Sequence, residues 1–359
     1  MCSHQGRQTV QRWRRHIIKG MGYTLNRYSR QTIFPEIGLE GQKKLGRGFA
    51  VIIGCGALGT IIASALVRAG VGKVRIIDRD FIEYHNLQRQ VLFDEEDIKN
   101  NLPKAVAAEK RLKKVNSEVE VEGIVSDVNY TNIERLVRGA NVILDGLDNF
   151  ETRLLINDAS LKLNIPWVYG GAIASSGMTM TIIPHQTACW HCMVTGSGKS
   201  GPTLTCDTAG VISPAPWTVA SLQSAEAMKI LLGSRKINPD LLVIDVWENK
   251  FQSFKTNPQS DCPACHGKYE FLEGKFSTRT TSLCGQNSVQ VLNSANYYLS
   301  FEELARRLKP LGEVTYNQFM LQFKVDSQEM VVFPDGRAII KNTNDEAYAK
   351  GIYSKYIGT

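Results

Sequence analysis

A chain of 359 residues, 43% of them hydrophobic, has material for one large or two modest cored units, and no apolar run nears the roughly 18 residues that a bilayer span requires. Net charge is +7, but residues 1–20 hold Arg7, Arg12, Arg14, Arg15 and Lys19 and no acid, which leaves +2 for the remainder, too little for a broad nucleic-acid-binding face. The eight cysteines, without a secretory leader, point to metal binding or thiol chemistry and away from a disulfide framework.

In chain order, residues 1–26 read as a basic tail expected to be disordered, or as sequence upstream of a start at Met21. The tail is Arg-rich and acid-free like a transit peptide, but short and weakly amphipathic. Tyr28-Ser-Arg30-Gln31 precedes an amphipathic stretch, 34–45, expected to form one or two helices. Residues 50–53 are a short β-branched run, hence a buried strand. Gly54, Gly56 and Gly59 follow as G-x-G-x-x-G, 60–69 has helical composition, and 74–77 is a second strand ending at Asp78. Strand, glycine turn, helix, strand and acid form a dinucleotide fingerprint in its proper context. The glycines let the backbone approach a phosphate, the helix N-terminus offers it free N–H groups, and Asp78 can accept from a ribose hydroxyl. Residues 94–97 read as an acidic turn, and Pro103 opens a helix with Lys104 in its first turn, where a cation opposes the helix dipole unless an anion is bound.

Strands follow at 119–125, 141–144 and 166–169, with a short helix at 131–137 and another closing at 160–163. A strand at 177–184 leads to Cys189-Trp-His-Cys192. Residues 193–205 are Gly- and Ser-rich and lack periodicity, so they read as a flexible loop closed by Cys206. A long apolar helix is expected at 214–232, capped by Gly233. Strands at 241–246 and 251–255 precede Cys262-Pro-Ala-Cys265. After Gly274 a second unit of strands and helices is expected, with helices at 301–308 and 346–356 and strands at 288–292, 318–325, 330–333 and 338–341. The expected fold is α/β: a Rossmann-like open, largely parallel sheet with helices on both faces, plus a small C-terminal α+β domain. The expected division is 1–26, 27–270 and 275–359.

The glycine motif alone says only adenine nucleotide. No Lys-Ser/Thr follows it, so it is not a Walker P-loop. Asn86, Arg89, Gln90 and Lys104 crowd in after the second strand, and Asp148-Asn149 follow a later one. Hydride transfer has no use for two cations and a metal-ligating acid there, whereas a triphosphate does. Arg89 and Lys104 would neutralise phosphate oxygens, and Asp148 would hold Mg²⁺. Cys189, Cys192, Cys262 and Cys265 make two C-x-x-C pairs, a set that closes a tetrahedron around Zn²⁺ with no open position; a redox pair is the competing reading. Cys206 is either a nucleophile or sulfur acceptor near a helix N-terminus, or a small buried residue. Cys55, inside the glycine turn, reads as a core residue.

With these residues assembled, the chain resembles the ubiquitin-activating-enzyme-like adenylyltransferases of the ThiF/MoeB/HesA group. The resemblance covers about 28–265 and rests on RYSRQ, GCGALG, the Asp78-x-Asp80 pair, NLQRQ, PKA, DGLDN, the two C-x-x-C pairs and TCDTAGV. It implies ATP as substrate, with Asp78 on the ribose, Asn86, Arg89, Gln90 and Lys104 on phosphates, Asp148 on Mg²⁺ and four cysteines on Zn²⁺. Asp80 and Asn149 belong to the same motifs. It also implies a homodimer in which Arg30 reaches the partner protomer's ATP. The 193–205 loop would clamp the substrate's tail. The implied reaction is adenylylation of the C-terminal glycine carboxylate of a small ubiquitin-fold sulfur-carrier protein, of thiamine or molybdopterin type. Sulfur transfer would follow, through Cys206 or from a donor such as a cysteine desulfurase, in the cytoplasm. Two departures stand out: GVISPAPW after Cys206 is unusual for the group, and the C-terminal unit is not a rhodanese, since Cys284-Gly-Gln-Asn makes no persulfide loop. Competing readings are an activator of tRNA or a peptide, a non-catalytic nucleotide-binding scaffold, and a nicotinamide dehydrogenase.

Overall fold

The computed structural model describes residues 27–148, 150–195, 209–275, 280–283, 287–292, 299–325 and 327–357. Residues 49–254 carry an eight-stranded sheet in the order β3-β2-β1-β4-β5-β6-β7-β8. In chain order its elements are α1 (Gly38–Leu45), β1 (Phe49–Ile53), α2 (Ala57–Ala69), β2 (Lys73–Asp78), α3 (Glu95–Lys99), α4 (Lys104–Val115), β3 (Glu120–Val125), α5 (Ile133–Val137), β4 (Val142–Asp145), α6 (Phe150–Leu163), β5 (Trp167–Ile173), β6 (Ser176–Ile182), α7 (Trp190–Thr195), α8 (Pro214–Leu232), β7 (Leu241–Asp245) and β8 (Lys250–Phe254). Strands β1 to β5 run parallel. From β6 onward the sheet continues antiparallel.

β4 is buried from end to end, and β1 from Ala50 onward, because helices cover both faces. On one face α1, α2, α4 and α8 bury Leu45, Ile62, Leu66, Leu112, Val219 and Ala227 against Ile52 and Ile76. On the other, α5, α6 and α7 bury Leu136, Ile156 and Trp190 against Ile53, Ile143 and Trp167. Strand order reverses between β1 and β4, with Ile53 in register with Asp145. A crevice opens beyond the carboxyl ends of the strands at such a switch point. No helix among the described residues is long and apolar enough to cross a membrane.

Residues 280–341 carry a six-stranded antiparallel sheet, β11-β12-β13-β14-β10-β9. Its strands are β9 (Thr280–Leu283), β10 (Ser288–Val291), β11 (Glu313–Tyr316), β12 (Leu321–Val325), β13 (Gln328–Val332) and β14 (Ala338–Lys341). Helices α9 (Phe301–Leu308) and α10 (Glu346–Tyr356) cover one face through Leu304, Leu308, Tyr353 and Tyr356. The other face carries Met320, Val331 and Phe333, which pack with Phe81 from the segment after β2.

Local differences from the sequence reading have simple causes. Residues 95–99 form a helix where an acidic turn was expected: Asp94 accepts from the N–H groups of Glu96 and Asp97, and acids in a first turn favour the dipole. The 34–45 helix is confined to Gly38–Leu45 because Gly38 has φ +57. Pro103 stands at the N-cap, one position before the helix. β9 and β11 were not anticipated; both are four-residue strands, too short for periodicity to show.

Candidate active site

The glycine turn is built by contact. Gly54 has φ +92, and a Cβ there would meet the Gly146 carbonyl oxygen at 2.5 Å. A Cβ on Gly59 would meet the Gly54 carbonyl oxygen at 2.0 Å. These two glycines therefore let β1, β4 and α2 close on one another. Gly56 differs: its nearest neighbours are the Gly146 oxygen at 3.7 Å and Gln90 Nε2 at 3.9 Å. The protein's own packing does not require a glycine there, and the space above it lies at the N-terminus of α2.

Asp78 ends β2 and braces this turn. Its two carboxylate oxygens accept from Cys55 N–H at 2.5 Å and from Asp80 N–H at 2.7 Å. Burial raises its carboxyl to about 6 despite the opposing Lys104. Cys55 itself is buried in the core, as expected, with its thiol pushed up by desolvation.

Lys104 opens α4 and is only 7% exposed. Its backbone N–H donates to the Asp80 carbonyl at 2.9 Å, and its ammonium lies 3.2 Å from Asp80 Oδ2. Burial works against the charge, but Asp80 and Asp78 outweigh it and hold the ammonium protonated. In return, Lys104 and Arg79 overcome burial and hold Asp80 down at about 2.

The segment after β2 folds into a 3₁₀ turn, Tyr84–Asn86, in which Asn86 Oδ1 accepts from Glu83 N–H at 3.0 Å. Arg89 and Gln90 follow, their N–H groups donating to the Asn86 carbonyl. Gln90 is buried, and its Oε1 has no hydrogen-bond partner among the described residues. The Arg89 guanidinium donates to the His85 carbonyl at 2.7 Å, and Trp217 Nε1 donates to the Arg89 carbonyl at 2.9 Å. Trp217 lies in the departing GVISPAPW segment, so the indole that marks the departure anchors the phosphate-side turn.

At the end of β4 the fully buried Asp145 pairs with Arg153 of α6 at 2.9 Å. Arg153 also donates to the carbonyls of Leu147 and Gly170. Gln223 of α8 donates to the Asp145 carbonyl at 2.9 Å. This fixes the turn from which Asp148 projects, exposed. Sequence reasoning missed Arg153 and Gln223; only a buried-helix Gln and an Arg eight positions after a strand-end Asp could have signalled them.

Gly54, Gly56, Gly59, Asp78, Asp80, Gln90, Lys104 and Asp148 thus meet at the carboxyl ends of β1, β2 and β4, with Asn86 and Arg89 in the segment that follows β2. Asn149 and Cys206 lie outside the described residues. Arg30 is elsewhere. Its neighbour Gln31 donates to the Ala69 carbonyl at the C-terminal end of α2, and Tyr28 accepts from Asn116. At 1.5 Å per residue, that is about 18 Å along α2 from the glycine turn.

On the opposite face of the sheet the four cysteines meet. Cys189 Sγ lies 3.6 Å from Cys192 and Cys262 and 3.5 Å from Cys265, and Cys192 lies 3.6 Å from Cys265. Tetrahedral thiolates at about 2.3 Å from an ion would stand roughly 3.8 Å apart, so these residues could hold one. His266 is turned away, its Nδ1 against the Cys262 carbonyl. Trp190, between the first pair, stacks on Tyr169 with ring centroids 3.9 Å apart and donates its backbone N–H to Asn157 Oδ1.

A doubly covered sheet with a glycine turn at its switch point and a buried lysine beyond it has the architecture of a nucleotide-binding protein. Comparison with known proteins makes it particular. Residues 28–264 match the ThiF family model, and the chain belongs to the ThiF family. It is 47% identical to the sulfur carrier protein ThiS adenylyltransferase of Bacillus subtilis, over 92% of this chain and 99% of that protein. The Escherichia coli protein of the same name is 35% identical over 67% of this chain and 95% of its own length. The adenylyltransferase and sulfurtransferase MOCS3 of Xenopus laevis is 33% identical over 79% of this chain and 63% of its own. Among solved structures, E. coli MccB with ATP has TM-score 0.57 and 25% identity, covering 68% of this chain and 75% of that one. The chain is an adenylyltransferase.

Proposed function

We propose that the protein adenylylates the C-terminal glycine carboxylate of a small ubiquitin-fold sulfur-carrier protein. The observation that carries this reading is Lys104, a buried and protonated ammonium beside a glycine turn with open space over Gly56. The near full-length likeness to a ThiS adenylyltransferase supplies the substrate class. In this reading residues 27–270 are the adenylyltransferase unit, 275–359 a second unit and 1–26 a tail.

The carboxylate is already ionised at neutral pH, so no general base is required. One of its oxygens bonds to the α-phosphorus in line, the P–O bond to the β-phosphate breaks, and pyrophosphate leaves with that electron pair. Catalysis is positioning plus neutralisation of developing charge. N–H groups at the start of α2 and the side chains of Arg89, Gln90 and Lys104 face the phosphates, and Asp78 takes the ribose. Asp148, exposed at a fixed turn, would hold Mg²⁺, which when bound neutralises phosphate charge. The four cysteines would hold Zn²⁺ as a structural ion. Arg30, far from its own chain's turn, would reach the ATP of a second copy in a homodimer. Cys206 would accept sulfur, unless an external donor delivers it directly. The cytoplasm suits this chemistry.

Exchange of labelled pyrophosphate into ATP tests the reading. It is expected only when a ThiS- or molybdopterin-type carrier ending in glycine is present. Exchange without any carrier, or none with either type, rejects the substrate. Cys206→Ser should keep exchange, because no thiol enters the adenylation transition state, and should lose carrier thiocarboxylate if sulfur runs through this chain.

A further inference from the structure

The second sheet does not merely abut the first; it reaches the ATP site through buried polar side chains. Arg337 opens β14 and is 2% exposed, and Gln290 on β10 is 1% exposed. Arg337 Nη1 donates to Gln290 Oε1 at 3.2 Å, and Gln290 Nε2 donates to Asp127 Oδ2 at 3.3 Å. The other oxygen of Asp127 takes Arg79 Nη1 at 2.6 Å. Arg79 Nε is then 3.7 Å from Asp80 Oδ1, while Asp80 Oδ2 faces Lys104 at 3.2 Å. Arg337 Nη2 also reaches the Arg79 carbonyl at 3.4 Å, and its guanidinium lies 3.5 Å over the Phe333 ring.

Stability gives little reason for this arrangement. Burying a guanidinium is costly unless it is closely paired, and an apolar side chain of similar volume usually serves a core as well or better. Among the described residues Arg337 has one ion-pair partner, the half-exposed Asp335 at 3.8 Å, and its Nε has no hydrogen-bond partner. What Gln290 does, held by Arg337 through its amide oxygen, is occupy one oxygen of Asp127. With Asp127 anchored, Arg79 is drawn to it and kept beyond hydrogen-bonding reach of Asp80. Asp80 keeps its carboxylate for Lys104.

We propose that Arg337 and Gln290 are positioning residues of the adenylylation site, acting through Asp127, Arg79 and Asp80 to aim the Lys104 ammonium. This rests on the reading of Lys104 as a phosphate ligand. Without Gln290, Arg79 slides onto Asp80, and Lys104 loses the partner that orients it.

Isothermal titration of MgATP into the full-length, metal-loaded protein provides the test, since it needs no carrier. Arg337→Met and Gln290→Leu, each close in shape to the residue replaced, are measured alone and combined with Lys104→Met. Each single variant should weaken MgATP roughly tenfold, and by less than about twofold when Lys104 is already absent, since residues acting through one another are non-additive. Equal losses in both backgrounds, or no loss in the first, overturn the proposal. If Arg337→Met fails to fold, Gln290→Leu, which removes only an amide, carries the test. If Lys104→Met itself binds MgATP like the parent, the phosphate-ligand reading falls, a result distinct from additivity.

Discussion

Two polar clusters flank the large sheet, and they are finished to different degrees. The four cysteines lie within 4.8 Å of one another on one face, turned inward, with aromatic rings packed around them. A metal ion would complete that cluster and leave nothing open. At the strand ends, Lys104 is buried and aimed, Gln90 Oε1 is buried without a partner among the described residues, and Asp148 stands exposed. That cluster is complete only with a ligand. A closed set of donors serves the fold, and an open set of charges serves chemistry.

The contrast is broken first at Asp148. Because it is exposed and carries no packing, Asp148→Ala should cut carrier-dependent pyrophosphate exchange by about a thousandfold and leave the melting temperature unchanged. A large drop in melting temperature would make the strand-end turn a structural site as well. At the other cluster the signs should invert. Metal analysis should give one zinc per chain, and Cys262→Ala should lose it and destabilise the protein by several kcal/mol; each kcal/mol is worth roughly 2–4 °C in a unit of this size. A metal-free protein with an ordinary melting temperature removes the assignment.

Gly56 and Gly59 sharpen the comparison inside one motif. Gly59→Ala puts a Cβ against the Gly54 oxygen and should unfold the turn, whereas Gly56→Ala should melt normally and bind MgATP about tenfold more weakly, near 1.4 kcal/mol. Equal effects of the two would erase the distinction between packing glycine and ligand glycine.

The smallest effect is in pH. Burial lifts Asp78 from an ordinary 3.8 to about 6. Between those values the folded chain holds a proton that the unfolded chain has lost. The stability this group contributes is therefore full below 3.8 and disappears as pH rises through about 6. Nucleotide binding runs the other way, because a ribose hydroxyl donates to the carboxylate. MgATP affinity should rise severalfold from pH 5 to 7, more steeply than in Asp78→Asn, as titration calorimetry can read. Identical slopes in both would take the ribose away from Asp78.

What the sequence made legible followed local rules. Gly54, Gly56, Gly59 and Asp78 lie within 25 positions, and α8 shows its ends through Pro214 and Gly233. The four cysteines announced themselves by paired spacing. What stayed hidden depended on distance along the chain. Gln290 and Asp127 are 163 positions apart, and Arg337 and Arg79 are 258; no periodicity links such pairs. Arg153 and Gln223 were hidden differently, since each reads as an ordinary helix residue until the fold turns it toward Asp145.

The wide interval between the cysteine pairs has a consequence for how the molecule is tied together. Cys189 and Cys262 are 73 positions apart, and α8 lies wholly between them. An ion bridging the pairs would close that stretch into a ring, and the entropy this takes from the unfolded chain disfavours unfolding of the stretch by roughly 4 kcal/mol. The same helix carries Trp217 and Gln223, which hold the carbonyls of Arg89 and Asp145. The ion would act as a tether, and losing it should let α8 drift from the crevice on the far face, so that an empty cysteine cluster silences the enzyme without any change to the groups that meet its substrates.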